Sequence, residues 1–118
     1  MKKINLAISG CLGRMGQQLI NSSRSNKNFK LVTLTESKLI QKKIYSINLE
    51  LNTALAFKKA DVIVDFTVPK CSLEILKIAS RLKKKVVIGT TGFTQKEENL
   101  IKKFSKKIPI LKAGNMSL

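Results

Sequence analysis

Short apolar runs alternate with amphipathic stretches along the chain, and this alternation predicts strands that are each followed by a helix. The runs are continuously apolar, which is typical of strands buried on both faces of a parallel sheet. Strands and helices in alternation imply right-handed crossover connections. The pattern therefore predicts a doubly wound, mostly parallel α/β sheet in one domain. The predicted strands cover residues 3–9, 29–35, 62–66, 86–89 and 108–111.

Three helices are predicted between these strands. The first covers residues 13–24, with apolar residues on one face. The second begins at Pro69, a residue that suits the first turn of a helix, and carries an apolar stripe to Leu82. The third follows Thr94 and Glu97, which have the spacing of a capping box. Each helix has one apolar face to pack against the sheet.

The pattern weakens between residues 37 and 52. Residues 44–47 are interpreted as a short strand within a long loop. Asn52 is interpreted as the cap of a short helix that runs to Lys59.

Length and composition fit a single cytoplasmic domain. The chain has 118 residues, enough for one core, and no apolar run reaches the roughly 18 residues that span a bilayer. The chain begins with basic residues that are followed by an apolar run. This start is interpreted as a strand, because Ser9, Gly10 and Gly13 interrupt the apolar run too early for a signal peptide. Two cysteines without any histidine predict neither a metal site nor a disulfide scaffold. No catalytic group is recognised.

The net charge of +16 suggests nucleic acid as a binding partner. Most of the basic residues are lysines, however, whereas base-reading surfaces favour arginine. Only six residues are aromatic, and most of them lie in apolar segments. A solvated basic surface is therefore the favoured interpretation, and a basic nucleic-acid-binding module stays as the alternative.

Three glycines follow the first predicted strand at the spacing Gly10-x-x-Gly13-x-x-Gly16. The first allows a tight turn, the second lets a helix begin close to a phosphate, and the third lets that helix pack against the sheet. Free amides and the helix dipole would then favour a pyrophosphate. Leu12 stands where a middle glycine is usual, and the glycines alone fit a turn without a ligand equally well.

Glu36 favours the interpretation of this turn as a dinucleotide site over a turn without a ligand. It lies 20 residues after Gly16, where an acid would accept hydrogen bonds from an adenosine ribose. Lys38 is close enough to pair with a 2′-phosphate, so both NADH and NADPH stay open. Arg14, inside the glycine turn, is a candidate phosphate ligand. The sequence thus predicts a Rossmann-type domain whose site lies at the strand ends.

Four segments at strand ends together resemble the amino-terminal half of the dihydrodipicolinate reductase family. They are residues 10–16, 64–69, 87–93 and 113–117. The resemblance implies a role in binding the cofactor for three of these segments and for Glu36. The residues so implied are Gly10, Cys11, Leu12, Gly13, Arg14, Met15 and Gly16 for the pyrophosphate, Glu36 for the ribose, Gly89, Thr90 and Thr91 for the nicotinamide and substrate, and Ala113, Gly114, Asn115 and Met116 for a further contact.

The resemblance also implies a reaction, which is hydride transfer from NADH or NADPH to a cyclic unsaturated dicarboxylate in the diaminopimelate route to lysine. Family members often have arginine directly after the acid, where this chain has Ser37. The family continues into a substrate domain with a His-His and Lys motif and forms a homo-tetramer. Residues 1–118 are expected to bind the dinucleotide with little or no turnover. Another NAD(P)-dependent dehydrogenase domain is the remaining alternative.

Overall fold

The computed structural model describes residues 2–113, in which a seven-stranded sheet is flanked by four helices. The elements in chain order are β1 (Ile4–Ser9), α1 (Arg14–Arg24), β2 (Phe29–Glu36), β3 (Lys43–Ile44), β4 (Ile47–Leu51), α2 (Ala54–Phe57), β5 (Val62–Asp65), α3 (Pro69–Leu82), β6 (Lys85–Ile88), α4 (Gln95–Ser105) and β7 (Ile110–Lys112). Among the described residues, no helix is long and apolar enough to cross a membrane.

The strand order confirms the predicted doubly wound sheet. The strands lie in the order β3-β4-β2-β1-β5-β6-β7, and every neighbouring pair is parallel except β3 and β4. Strand β1 lies in the centre, where Ile8 pairs with Leu34 of β2 on one side and Val64 of β5 on the other. The chain therefore reverses its winding direction at β1, which is where such folds bind ligands.

Successive side chains of the central strands enter two different cores. Ala7 and Ile63 pack in one cluster with residues of α2, α3 and α4. Ile8 and Val64, the next residues along each strand, pack in the other cluster with Ile20 of α1. All four strand residues are buried, so the continuously apolar runs mark strands with both faces covered.

The segment predicted as a short strand at residues 44–47 is instead the turn of a β-hairpin. Tyr45 and Ser46 both have positive φ values, 50° and 69°, and join β3 to β4. Two consecutive residues of this kind form the mirror-image turn that matches the twist of a hairpin. The prediction was wrong because this turn usually carries Asn-Gly, and Tyr-Ser gives no such signal.

The expected cap of the short helix is also displaced by one residue. Thr53, not Asn52, is the N-cap of α2, and its hydroxyl accepts a hydrogen bond from the Ala56 amide. The Asn52 side chain instead accepts hydrogen bonds from the hydroxyls of Ser9 and Thr35. Asn52 therefore connects the ends of three adjacent strands, β1, β2 and β4, beneath the predicted phosphate turn.

The other helix signals are confirmed. Thr94 and Glu97 form the complete capping box at the start of α4, with both reciprocal hydrogen bonds present. Pro69 occupies the first turn of α3, as predicted. The last strand begins two residues later than expected, because the Ile108 amide still donates to Phe104 at the end of α4 and its side chain enters the core.

Candidate dinucleotide site

The carboxyl ends of five parallel strands lie side by side along one edge of the sheet. In spatial order they belong to β2, β1, β5, β6 and β7. Backbone hydrogen bonds join neighbouring ends: the Gly10 amide donates to Thr35, and the Gly89 amide donates to Asp65. The Ala113 amide donates to Ile88 at the outer end of this row. The strand ends that the sequence singled out therefore form one continuous edge.

The backbone of the glycine turn is largely hydrogen-bonded within the protein. The amides of Gly10 and Cys11 both donate to the Thr35 carbonyl oxygen, at 3.0 and 3.4 Å. The Gly13 amide donates to the Gly10 carbonyl oxygen at 3.1 Å. The first part of the turn is thus tied to the end of β2, and its amides are not free for a ligand.

Glu36 also bonds to the turn. One carboxylate oxygen, Oε2, accepts a hydrogen bond from the Leu12 amide at 2.7 Å. The side chain is half-buried, and it bridges the end of β2 to the turn that follows β1. The predicted ribose ligand therefore lies directly against the predicted pyrophosphate turn.

The free amides lie at the start of α1. Gly13 is the N-cap and has no side chain, and no side chain of the described residues caps this end. The amides of Arg14, Met15 and Gly16 consequently lack the partners that the first turn of a helix cannot supply itself. Together with the helix dipole they form a site suited to an anion such as a pyrophosphate.

Two glycines permit the close packing of this turn. Gly10 has a φ of +79°, and a β-carbon there would collide with the Phe66 carbonyl group. A β-carbon on Gly16 would collide with the Gly10 carbonyl oxygen and with the backbone of Cys11. Gly16 thus lets the helix pack against the turn itself, and not against the sheet as the sequence suggested.

A crevice of about 210 Å³ opens beside this turn. It brings together three of the predicted residues, Gly10, Gly13 and Glu36. Five further residues line it that were not predicted as ligands, namely Ser37, Phe66, Thr67, Val68 and Cys71. Four of these follow β5, and the rule that ligands bind at strand ends could have indicated Phe66, Thr67 and Val68.

Asp65 braces the wall of the crevice formed by the loop after β5. Its Oδ1 atom accepts hydrogen bonds from the Thr67 amide and hydroxyl, at 3.1 and 2.6 Å. The Thr67 amide also donates to the Thr90 hydroxyl at 2.9 Å, which joins the ends of β5 and β6. Asp65 is fully buried, and burial raises the pKa of its carboxyl group against the opposing effect of hydrogen bonds from Ser72, Thr67 and Thr90.

The remaining predicted residues are spread along the edge. Arg14, Lys38 and Thr91 are exposed, and none of them lines the crevice. Thr90 is buried and reaches the crevice only through Thr67. Three predicted ligands, Gly114, Asn115 and Met116, lie outside the described residues.

One cluster of basic residues lies at the edge of the sheet opposite the crevice. Five lysines surround a cleft at the opposite edge of the sheet, where β1, β5 and β6 begin, and the one acid beside them is Asp61. The lysines are Lys2, Lys3, Lys83, Lys84 and Lys85. By contrast, no lysine or arginine of the described part of the chain lines the crevice. A cluster of five lysines thus lies away from the candidate site.

The fold and the crevice at its winding reversal define the chain as a Rossmann-type domain. Residues 4–116 match the family model described as "Dihydrodipicolinate reductase, N-terminus". The chain belongs to this family.

Similar proteins agree with the assignment. The chain is 78% identical over 118 residues to a 4-hydroxy-tetrahydrodipicolinate reductase of Pelagibacter ubique, covering all of this chain and 46% of that protein. It is 42% identical over 131 residues to a reductase of the same name from Buchnera aphidicola, covering 48% of it.

A solved structure is similar as well. A dipicolinate-bound dihydrodipicolinate reductase from Paenisporosarcina sp. has a TM-score of 0.79 and 26% identity, and the match covers 97% of this chain and 48% of that one. The chain thus spans about half the length of the relatives it matches. Family membership also decides against another dehydrogenase family, one of the alternatives that the sequence left open.

Proposed function

We propose that this chain is the half of a 4-hydroxy-tetrahydrodipicolinate reductase that binds the hydride donor, NADH or NADPH. The observation that carries the proposal is the uncapped start of α1, where Arg14, Met15 and Gly16 offer free amides directly after a glycine N-cap. Glu36 lies beside this start, attached to the same turn. A pyrophosphate at the amides would place the adenosine ribose next to the carboxylate.

The chemistry of the crevice fits the phosphate and ribose end of such a cofactor. When bound, the dinucleotide supplies a hydride from its reduced nicotinamide. The chain's own residues would hold its phosphates and ribose at Gly10–Gly16 and Glu36. The row of strand ends continues past Phe66 to Gly89 and Thr90, which are the residues proposed to face the nicotinamide.

Substitution of Gly13 by aspartate tests the proposal. The backbone of Gly13, with φ −74° and ψ 168°, is open to any residue, and aspartate is a preferred N-cap. Its carboxylate would bond the free amides and repel the pyrophosphate. We expect NADH and NADPH to bind the original chain in calorimetric titrations and Gly13→Asp to abolish binding, while thermal stability is unchanged or higher.

Gly13→Ala is the matched control, because a β-carbon there meets the Gly10 carbonyl oxygen at 3.5 Å, an ordinary contact, and leaves the amides free. It should retain most of the affinity. The proposal is wrong if neither dinucleotide binds the original chain at millimolar concentration.

The remaining part of the proposed function, turnover of the substrate, concerns the whole protein. We propose that turnover of the cyclic dicarboxylate, and the homo-tetramer in which it occurs, require the second domain of the family, and that the reaction is cytoplasmic because it draws on the cellular cofactor pool. This chain alone should bind the cofactor and show no reductase activity, measured as loss of NADH absorbance against a full-length relative. Turnover by the isolated chain would contradict this part.

A further inference from the structure

We infer that the edge of the sheet opposite the crevice binds the phosphate backbone of double-stranded nucleic acid, by charge and without reading the bases. This amino edge is where the parallel strands β2, β1, β5 and β6 begin. It lies at the other end of these strands from the candidate dinucleotide site. The inference therefore goes beyond the proposed function and does not depend on it.

Five lysines without an anionic partner line a cleft of about 430 Å³ at the amino edge. Neither of the ion pairs found among the described residues uses a lysine of this cleft. The one acid in the lining, Asp61, accepts a hydrogen bond from the Asn5 amide at 2.8 Å and so holds the start of β5 to β1. The ammonium groups of the lysine cleft are thus left for a ligand that brings its own negative charge.

The basic surface continues across the start of β2. Lys3 also lines a second cleft, of about 230 Å³, together with Arg24 and Lys30, and no acid of the described chain lines it. From Lys30 on β2 to Lys85 on β6 the surface crosses three strand spacings, or roughly 14 Å. One strand of a duplex carries a phosphate about every 3.4 Å, so the surface matches about four phosphates.

Stabilisation of helix ends does not account for these positions. Lys83 directly follows the last turn of α3, where a cation complements the helix dipole. Lys2 and Lys3 precede β1, however, and Lys30 lies within β2, so none of these three stands at the end of a helix. The amino edge therefore carries more positive charge than its helix ends explain.

The lining favours a phosphate backbone over unpaired bases. Lysine is a point charge that binds phosphates, but it lacks the planar fork with which arginine reads base edges. Among the described residues no aromatic side chain lines the lysine cleft. In the second cleft the Arg24 guanidinium already covers the Tyr45 ring, 3.7 Å from its centre, so single-stranded bases lack a free ring on which to stack.

The shape and composition of the lysine cleft also favour a duplex over a membrane surface. A bilayer is flat, and proteins that lie on it use apolar anchors such as Trp, Phe or Leu. None of these residue types lines the lysine cleft in the described part of the chain. A duplex presents a convex row of phosphates, which a concave cleft with lysines around it can contact from several sides.

Fluorescence anisotropy with a labelled duplex of about 20 base pairs tests the inference on the chain as it exists. We expect binding at about 0.05 M salt, with affinities for two unrelated sequences that agree within about twofold. The logarithm of the binding constant should fall with the logarithm of the salt concentration at a slope of about −3.6, the value for four phosphate contacts. NADH at millimolar concentration should not displace the duplex.

The combined substitutions Lys3→Gln, Lys83→Gln and Lys85→Gln remove three exposed cations of the basic surface. This triple variant should bind the duplex at least about tenfold more weakly at about 0.1 M salt, with a salt slope near about −1.

The matched control combines Lys70→Gln, Lys77→Gln and Lys96→Gln. These lysines are exposed on α3 and α4, line neither cleft, and lower the net charge by the same amount. The control should change the affinity less than about threefold, because long-range attraction to exposed charges is largely screened at this salt concentration.

Equal weakening by the two triple variants overturns the inference, because attraction would then come from net charge and not from the amino edge. A salt slope near zero, displacement of the duplex by NADH, or tighter binding to phosphatidylserine vesicles than to the duplex overturns it as well. If the duplex binds as expected and neither dinucleotide binds, only the proposed function fails.

Discussion

At the residue scale, Asp65 combines complete burial with an incomplete set of hydrogen bonds. Its Oδ1 atom is fully used by Thr67, whereas Oδ2 has no partner among the described residues. A buried carboxylate with one unsatisfied oxygen favours its protonated form. The burial of Asp65 and its free oxygen depend on how α3 packs and could not be predicted from sequence.

This burial predicts a specific dependence of stability on pH. The pKa of Asp65 is raised above its ordinary value of 3.8 in the folded protein, so the folded state holds the proton more tightly than the unfolded state. The stabilising contribution is complete below about pH 3.8 and is lost as the pH rises through the folded pKa. Relative to Asp65→Asn, the original chain should lose stability over this range, measured by urea unfolding between about pH 4 and pH 8.

Asp61→Asn supplies the control, because Asp61 is exposed and lies at the opposite end of β5. It removes the same charge without touching a buried group. If the stability difference between Asp65→Asn and the original chain stays constant across the pH range, burial of Asp65 does not control its ionisation.

At the element scale, the hairpin of β3 and β4 shows why the local sequence pattern was not sufficient to predict its turn. Tyr45 adopts a left-handed backbone because its side chain is fixed elsewhere: the Arg24 guanidinium lies 3.7 Å from the ring centre, and the hydroxyl donates to Asn21. Both partners belong to α1. Long-range contacts therefore hold a turn that the sequence itself does not signal, whereas the capping box of α4 is local and was predicted in full.

Ser46 makes no comparable contact with α1 in the described structure, so its backbone conformation should cost stability. A residue with a β-carbon at φ 69° is disfavoured by about 1 kcal/mol, and glycine removes that cost. Ser46→Gly should raise the free energy of unfolding by about 0.5–1 kcal/mol. Urea unfolding followed by circular dichroism measures the change.

Ser25→Gly is the matched control, because Ser25 has a φ of −87° and gains nothing from glycine. It should be neutral or destabilising. Equal stabilisation by both substitutions would show that the hairpin turn is not strained.

At the scale of the whole molecule, the fold was predictable because its signals repeat along the chain. Continuous apolar runs gave five strands, and connection rules placed their ends on one edge. The glycine spacing and Glu36 predict a site on that edge, where a crevice lies. The walls of the crevice needed the structure, because Cys71 and Thr67 approach the turn only after α3 is placed against β5.

The same scale reveals exposed apolar surface at the edge strand β7. Val62, Val87 and Leu111 line a groove beside β5, β6 and β7, which Lys85 and Ser105 at the end of α4 also line, and Leu111 is 62% exposed. Exposed apolar surface favours association, while the net charge of +16 opposes it.

These opposing effects predict association that depends on salt. At about 0.01 M salt, charge repulsion acts over roughly 30 Å and should keep the chain monomeric, whereas at about 1 M it acts over roughly 3 Å and the apolar surface should drive self-association. Sedimentation velocity measures both states, and Leu111→Lys should suppress association at high salt. Leu55→Lys is the control, because Leu55 is even more exposed, at 77%, but lies on α2 and does not line the groove. Equal suppression by both variants would assign the association to charge alone, and its persistence in Leu111→Lys would show that another surface is responsible.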